Sequence, residues 1–147
     1  MVDFLTPAER SERMSRIRGR DTKPELVVRR LLHAAGFRFR LHVANLAGRP
    51  DIVLPKYHAA VFVHGCFWHR HARCAVASTP KSNRGFWEAK FIANIRRDKR
   101  NCAMLRSKGW RVFVIWECQV NSIAKAGRAV HGLALRLRSG AGTCRME

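Results

Sequence analysis

The stretch Ala59-Ala60-Val61-Phe62-Val63-His64-Gly65-Cys66-Phe67-Trp68-His69-Arg70-His71-Ala72-Arg73-Cys74 decides how the chain is read. Its first five residues form a continuous apolar run, which predicts a strand. The next eleven pack three histidines, two cysteines and two adjacent large aromatics into a loop. Cys66, His71 and Cys74 are spaced so that a short loop can fold their side chains onto one tetrahedral ion, and zinc is the expected guest. Cys118, after the apolar run Val112–Trp116, can supply a fourth ligand through strand pairing. Cys102 is the weaker candidate because it falls on the buried side of an expected helix. The competing reading is a set of buried thiols and ordinary histidines.

With His71 on the metal, His64 and His69 are left as imidazoles able to accept a proton near neutral pH. Phe67 and Trp68 sit among the ligands, where they either stack on a flat partner such as a base or cover the metal.

At 147 residues the chain fits one domain with a core, and no apolar run reaches the roughly 20 residues that cross a bilayer. Met1–Arg20 is polar and basic, so no export signal is read and a cytoplasmic setting is expected. Five cysteines in that setting favour thiols and metal over disulfides. The 29 Lys and Arg against 10 Asp and Glu, for a formal +19, make nucleic acid the expected partner ahead of an anionic membrane.

Taken in order, Thr6-Pro7-Ala8-Glu9 begins a basic helical arm over 1–20, with Arg13, Arg16 and Arg20 among its phosphate-contacting or merely solvated cations. Thr22-Lys23-Pro24-Glu25 is a second capping box, which gives Glu25 a full structural explanation, and its helix ends at Gly36. Alternation across Phe37–Val43 predicts a strand, and Pro50-Asp51 leads into a second at Ile52–Leu54. The segment 75–85 reads as a mobile excursion carrying Lys81 and Arg84. A long helix over 86–108 buries Phe91, Ile92, Ile95, Cys102 and Leu105, and sets Asp98 among the basic residues of its other face. Trp87 at its start is either a core anchor or a stacking residue. Trp110–Trp116 reads as a central strand, and Ile123, Ala126, Val130, Leu133 and Leu137 mark a last helix before a frayed tail over 139–147.

These elements predict one α/β domain over 21–138, with a mixed sheet of about four strands flanked by helices. Asp51, the strand end at Val63-His64, and His69 can converge at one end of that sheet. A carboxylate and a backbone carbonyl suffice to hold magnesium, and a nearby histidine can accept a proton from water during phosphodiester cleavage.

Gly48-Arg49-Pro50-Asp51, Phe62-Val63-His64-Gly65-Cys66-Phe67-Trp68-His69, Gly109-Trp110-Arg111-Val112 and Trp116-Glu117-Cys118 together resemble the very short patch repair (Vsr) mismatch endonucleases. Asp21-Thr22 and Glu25 match that family's first motif. The resemblance implies a restriction-endonuclease-like core with a structural zinc site, and nicking of duplex DNA 5′ of the thymine in T·G mismatches left by deamination of 5-methylcytosine. By position it implies Mg2+ on Asp51 and the Val63 carbonyl, His69 as general base, and His64 and Glu25 assisting. Zn2+ would rest on Cys66, His71, Cys74 and Cys118. Phe67, Trp68 and Trp87 would enter the stack, and the N-terminal helix would grip the duplex. A monomer, in the bacterial cytoplasm at the nucleoid and with a possible mismatch-repair partner, completes the expectation. Two alternatives stand beside it: a non-catalytic zinc-stabilised DNA-binding protein, and a sequence-specific restriction-type nuclease that cuts both strands.

Overall fold

The structure, a computed structural model, describes residues 21–140; the basic arm with Arg13, Arg16 and Arg20, and the tail beyond Gly140, lie outside the described residues. Helix α1 (Lys23–Ala34) begins at a proline in its first turn, and the chain leaves it through Gly36 at φ +94°. The expected capping box is not made, because the Thr22 side chain makes no cap. Glu25 Oε2 instead accepts the Asp21 N–H at 2.8 Å and Arg29 Nη2 at 3.2 Å, which holds the carboxylate inward at 2% exposure.

Four strands follow the order β1 (Arg40–Leu41), β2 (Ile52–Leu54), β3 (Ala59–His64) and β4 (Arg111–Trp116) across one sheet. The first two pairings are antiparallel and β3–β4 is parallel, joined through α2 (Arg84–Ser107). The turn Pro55–Tyr57, closed by His58 in the left-handed region, links β2 to β3. Helix α3 (Ile123–Ser139) starts at Ser122, whose hydroxyl accepts the Lys125 N–H, and ends at Gly140.

Period-two alternation splits the sheet between two cores. Val61, Val63, Phe113 and Ile115 face α1 and α3, with Val28, Leu32, Val130 and Leu137. Ala60, Phe62 and Val112 face α2, with Cys102 and Leu105. His64, next in that second series, points to the α2 side at the end of β3.

Four expectations change. The strand expected over 37–43 contributes only Arg40–Leu41 to the ladder, because His42 at φ +47° leaves the extended region; Leu41 is 42% exposed. Strand β4 lies at the sheet's edge rather than its centre, and its apolar run reflects cover by helices on both faces. Ile92 and Ile123 are 49% and 95% exposed, whereas Asp98, placed by the sequence on the outer face, is buried at 7%. Phe91, Asp98, Cys102 and Leu105 share the face of α2 that meets the sheet. The last helix also runs through Ser139 rather than fraying there.

Candidate active site and metal centre

The register Val63↔Ile115 and His64↔Trp116 brings the loop after β3 beside the turn after β4. That is how Cys118 reaches a loop more than forty residues earlier. Cys66, His71, Cys74 and Cys118 offer four donor atoms all within 4.8 Å of one another. His71 Nδ1 is 3.7 Å from Cys66 Sγ and 3.4 Å from Cys118 Sγ. Zn–S and Zn–N bonds of about 2.3 and 2.1 Å set tetrahedral donors roughly 3.5–3.8 Å apart, so the set fits a closed four-coordinate site. Cys102 is not part of it. The His71 ring stacks on Trp116 at 4.2 Å, and Glu117 Oε1 accepts the Cys66 N–H at 2.9 Å, fixing the knot to the end of β4. Burial pushes the Cys66 thiol up to about 12 and raises Cys118, while burial lowers His71. Burial opposes ionisation of Cys74 as well, but the Val76 N–H and the neighbouring thiols hold its value down overall. Cys66 and Cys118, which resist ionising, need a cation beside them to become thiolates.

On the other side of β3, Asp51 Oδ2 accepts the Val63 N–H at 2.7 Å. Burial, reinforced by the Glu25 carboxylate beside it, raises Asp51 to about 7 despite that bond. Two crowded carboxylates next to the Val63 backbone form an oxygen donor set that suits a hard divalent cation. The Asp21, Glu25 and His42 side chains also converge, but a guanidinium already fills that space: Arg29 Nη2 lies 2.7 Å from Asp21 Oδ1 and 2.8 Å from His42 Nε2. Hydrogen bonding from Arg29, then from His42, lowers Asp21.

Facing the carboxylates, His69 Nδ1 lies 2.6 Å from Asp98 Oδ2. A carboxylate can only accept there, so Nδ1 carries the proton and Nε2 presents a free lone pair. The His69 ring stacks on His64 at 3.8 Å with the planes 5° apart. Burial, then the His69 charge, lowers His64 to about 3, so it is neutral at physiological pH. Its Nδ1 has no hydrogen-bond partner among the described residues. Both groups line an open groove of about 1410 Å³, with Glu25, Asp51, Phe67, Trp68, Arg49, Lys90, Arg97 and Asn101 on its walls. Groove, cations and half-buried aromatics suit a polyanion with flat bases.

The family model for the DNA mismatch endonuclease Vsr matches residues 2–75. The type II nicking enzyme V.XorIIP of Xanthomonas oryzae is 46% identical over 84% of this chain and 90% of its own length. The DNA mismatch endonuclease Vsr of Escherichia coli is 40% identical over 85% and 80%. This chain belongs to the Vsr endonuclease family. The catalytic domain of the homing endonuclease I-Bth0305I shares the fold, with a TM-score of 0.52 at 22% identity over 80% of this chain and 98% of that one.

A Vsr-family chain is a nuclease that acts on DNA, and the expected architecture, a mixed sheet of four strands flanked by helices, is the one observed and is shared with that nuclease domain. No helix among the described residues is long and apolar enough to cross a membrane. The structure brings together, in one groove, Glu25, Asp51, Val63, His64 and His69, with Phe67 and Trp68 at its wall. Trp87 joins the aromatics, 5.5 Å from Phe67 and 6.0 Å from Trp68. Three residues escaped sequence reasoning. Asp98 carried a signal, since it shares helical spacing with Phe91, Cys102 and Leu105. Arg29 showed only its helical spacing from Glu25, and Glu117 only its place beside Cys118, because its contact with the Cys66 N–H joins residues far apart in the chain.

Proposed function

We propose that the chain is a divalent-metal-dependent endonuclease that nicks one strand of duplex DNA 5′ of the thymine in a T·G mismatch. The observation that carries the reading is the His69–Asp98 dyad lining one groove with the Glu25–Asp51 pair, an arrangement that can hydrolyse a phosphodiester. Asp51 and the Val63 carbonyl would hold Mg2+, with Glu25 beside it. When bound, the ion supplies an acidified water and offsets charge on the phosphate.

His69 accepts the proton of the attacking water at Nε2. Asp98 keeps that tautomer and stabilises the imidazolium that results. His64 stays neutral, so it stacks on His69 without opposing its protonation, and its buried Nδ1, unpartnered among the described residues, would bond a water or phosphate oxygen. Cys66, His71, Cys74 and Cys118 hold Zn2+ and fix the loop on which His69 stands. Phe67, Trp68 and Trp87 enter the base stack, at a cost of a few kcal/mol that is lower at a mispair. Arg13, Arg16 and Arg20 grip the backbone of the duplex. The enzyme acts as a monomer on the bacterial nucleoid in the cytoplasm, with a mismatch-repair protein as a further partner.

Relatives such as V.XorIIP are named type II nicking enzymes with no mismatch in the name, so a second reading to be tested is nicking of fully paired DNA. One strand-resolved assay with Mg2+ separates the two, using a T·G duplex with randomised flanks and its fully paired counterpart. Nicking of the thymine strand in the mismatched duplex alone is the expected result. Equal nicking of both duplexes would sink the mismatch assignment, and no cutting alongside tight binding would leave a binding protein.

A further inference from the structure

Arg70 follows directly on His69, yet the chemistry above gives it no part. Its backbone stands in the left-handed region at φ +53°, an unfavourable conformation for a residue with a Cβ. The guanidinium carbon lies 4.0 Å from the Phe91 ring centre and 5.7 Å from that of Phe67. Nη1 donates to the Ser78 carbonyl at 3.1 Å and, at 3.4 Å, to the Phe67 carbonyl, while Nη2 donates to Thr79 Oγ1 at 3.0 Å. One side chain thereby joins the metal loop, the 75–83 excursion and the start of α2.

Those segments carry the aromatic group. Phe67 lies 5.0 Å from Trp68, 5.5 Å from Trp87 and 5.3 Å from Phe91, each edge-on. Asn94 Nδ2 donates to the Trp68 carbonyl at 3.0 Å, so two successive carbonyls of the wedge are anchored. A wedge ordered before binding loses little entropy when it enters DNA, whereas a loose one loses it at that step.

We propose that Arg70 is a positioning residue that pre-sets the Phe67–Trp68–Trp87 wedge, and with it the flanking excursion, for insertion beside the mismatch. This rests on the wedge reading given above. Lysine cannot replace it, because an ammonium lacks the planar face that lies on Phe91 while donating along two edges. Glycine fits φ +53° better than arginine, so Arg70→Gly keeps the loop's path and removes only the clamp.

The test uses the full, metal-loaded chain as wild type, Arg70→Gly, Arg70→Lys and Trp87→Ala. Single-turnover nicking is measured on a T·G duplex with stacked flanks, and on the same T·G within a short unpaired bubble whose step is already open. Arg70→Gly and Arg70→Lys should nick the stacked duplex about 10-fold more slowly, the scale of ordering one or two side chains. The bubble should be nicked at close to the wild-type rate, with bound metal and melting temperature retained. Trp87→Ala should show the same selectivity. If Arg70→Gly and Arg70→Lys lose equally on both duplexes while Trp87→Ala remains selective, Arg70 is a phosphate contact or a scaffold and the proposal is overturned. If Trp87→Ala also loses equally on both, the wedge reading itself falls and takes this role with it.

Discussion

Two donor clusters flank the end of β3, and they are built on opposite rules. Cys66, His71, Cys74 and Cys118 offer one soft donor each, enough to enclose an ion completely, and Cys66 is fully buried. Glu25 and Asp51 offer hard oxygens, too few to satisfy an ion, and open onto the groove. The closed set leaves no position for a substrate, so its contribution is shape. The open set leaves several, so its contribution is chemistry. A single strand end serves both because its loop closes the first cluster while its backbone borders the second.

The contrast can be broken most forcefully at the closed cluster. Stripping soft metal with a strong chelator should unfold the loop and abolish DNA binding, since structural zinc contributes roughly 10–16 kcal/mol in small sites. Circular dichroism and melting of the stripped chain measure this, and an unchanged melting curve would refute the ligand set. Removing Mg2+ alone should leave the fold and DNA binding intact.

At the open cluster, Asp51→Ala should lower single-turnover nicking by about 10³-fold or more while the duplex is bound as well as before, because only the hydrolytic machinery is touched. A gel-shift titration beside the cleavage time course would expose a parallel loss of binding, which would place Asp51 in scaffolding instead. Asp98→Asn is the next smaller change. It should cost about 10²-fold in the cleavage step with binding unchanged, as the amide lets His69 adopt the wrong tautomer. Wild-type rates in that variant would remove Asp98 from the dyad.

The smallest effect concerns stability against pH. Asp51 is raised from 3.8 to about 7, so the stability linked to it is fully present below pH 3.8 and is lost as pH rises through about 7. In protein that keeps its zinc but lacks Mg2+, Asp51→Asn should therefore melt close to wild type near pH 4 and several degrees higher above pH 7, at up to about 1.4 kcal/mol per pH unit crossed. Added Mg2+ should close that gap by stabilising wild type alone. His64 behaves oppositely: with a folded value near 3, its stability is present above 6.5 and lost as pH falls from there toward 3. Identical melting of the two proteins at pH 8 would show that Asp51 is not held against its charge.

Much of this was legible in the chain. The knot was readable because thiols and an imidazole so closely spaced in one loop have little use except around a metal, and the run 112–116 predicted the pairing that delivers Cys118. Asp51 was readable from a proline that places it at a strand start. Asp98 was not, since a carboxylate between Arg97 and Lys99 reads as a solvated charge until the helix phase is fixed by what it packs on. The length of β1 was obscured by alternation that continues past His42, where the backbone turns away. Glu25 reads as a cap for sound local reasons, and a tertiary demand overrides them.

Val63 and His64 are consecutive residues, and in a strand consecutive side chains exit on opposite faces. A deletion or insertion within β3 would exchange their faces and dismantle both clusters at once, whereas added length in 80–83, past the backbone N–H groups of 76–77 at Cys74 and the Arg70 contacts at 78–79, would disturb neither strand register nor donor geometry. Length variation among descendants of this chain is thereby channelled into the excursion beside the aromatic wedge. Loop grafts meant to change which flanking bases are accepted belong there, because the segment adjoins the aromatic wedge and can be rewritten without re-indexing the sheet.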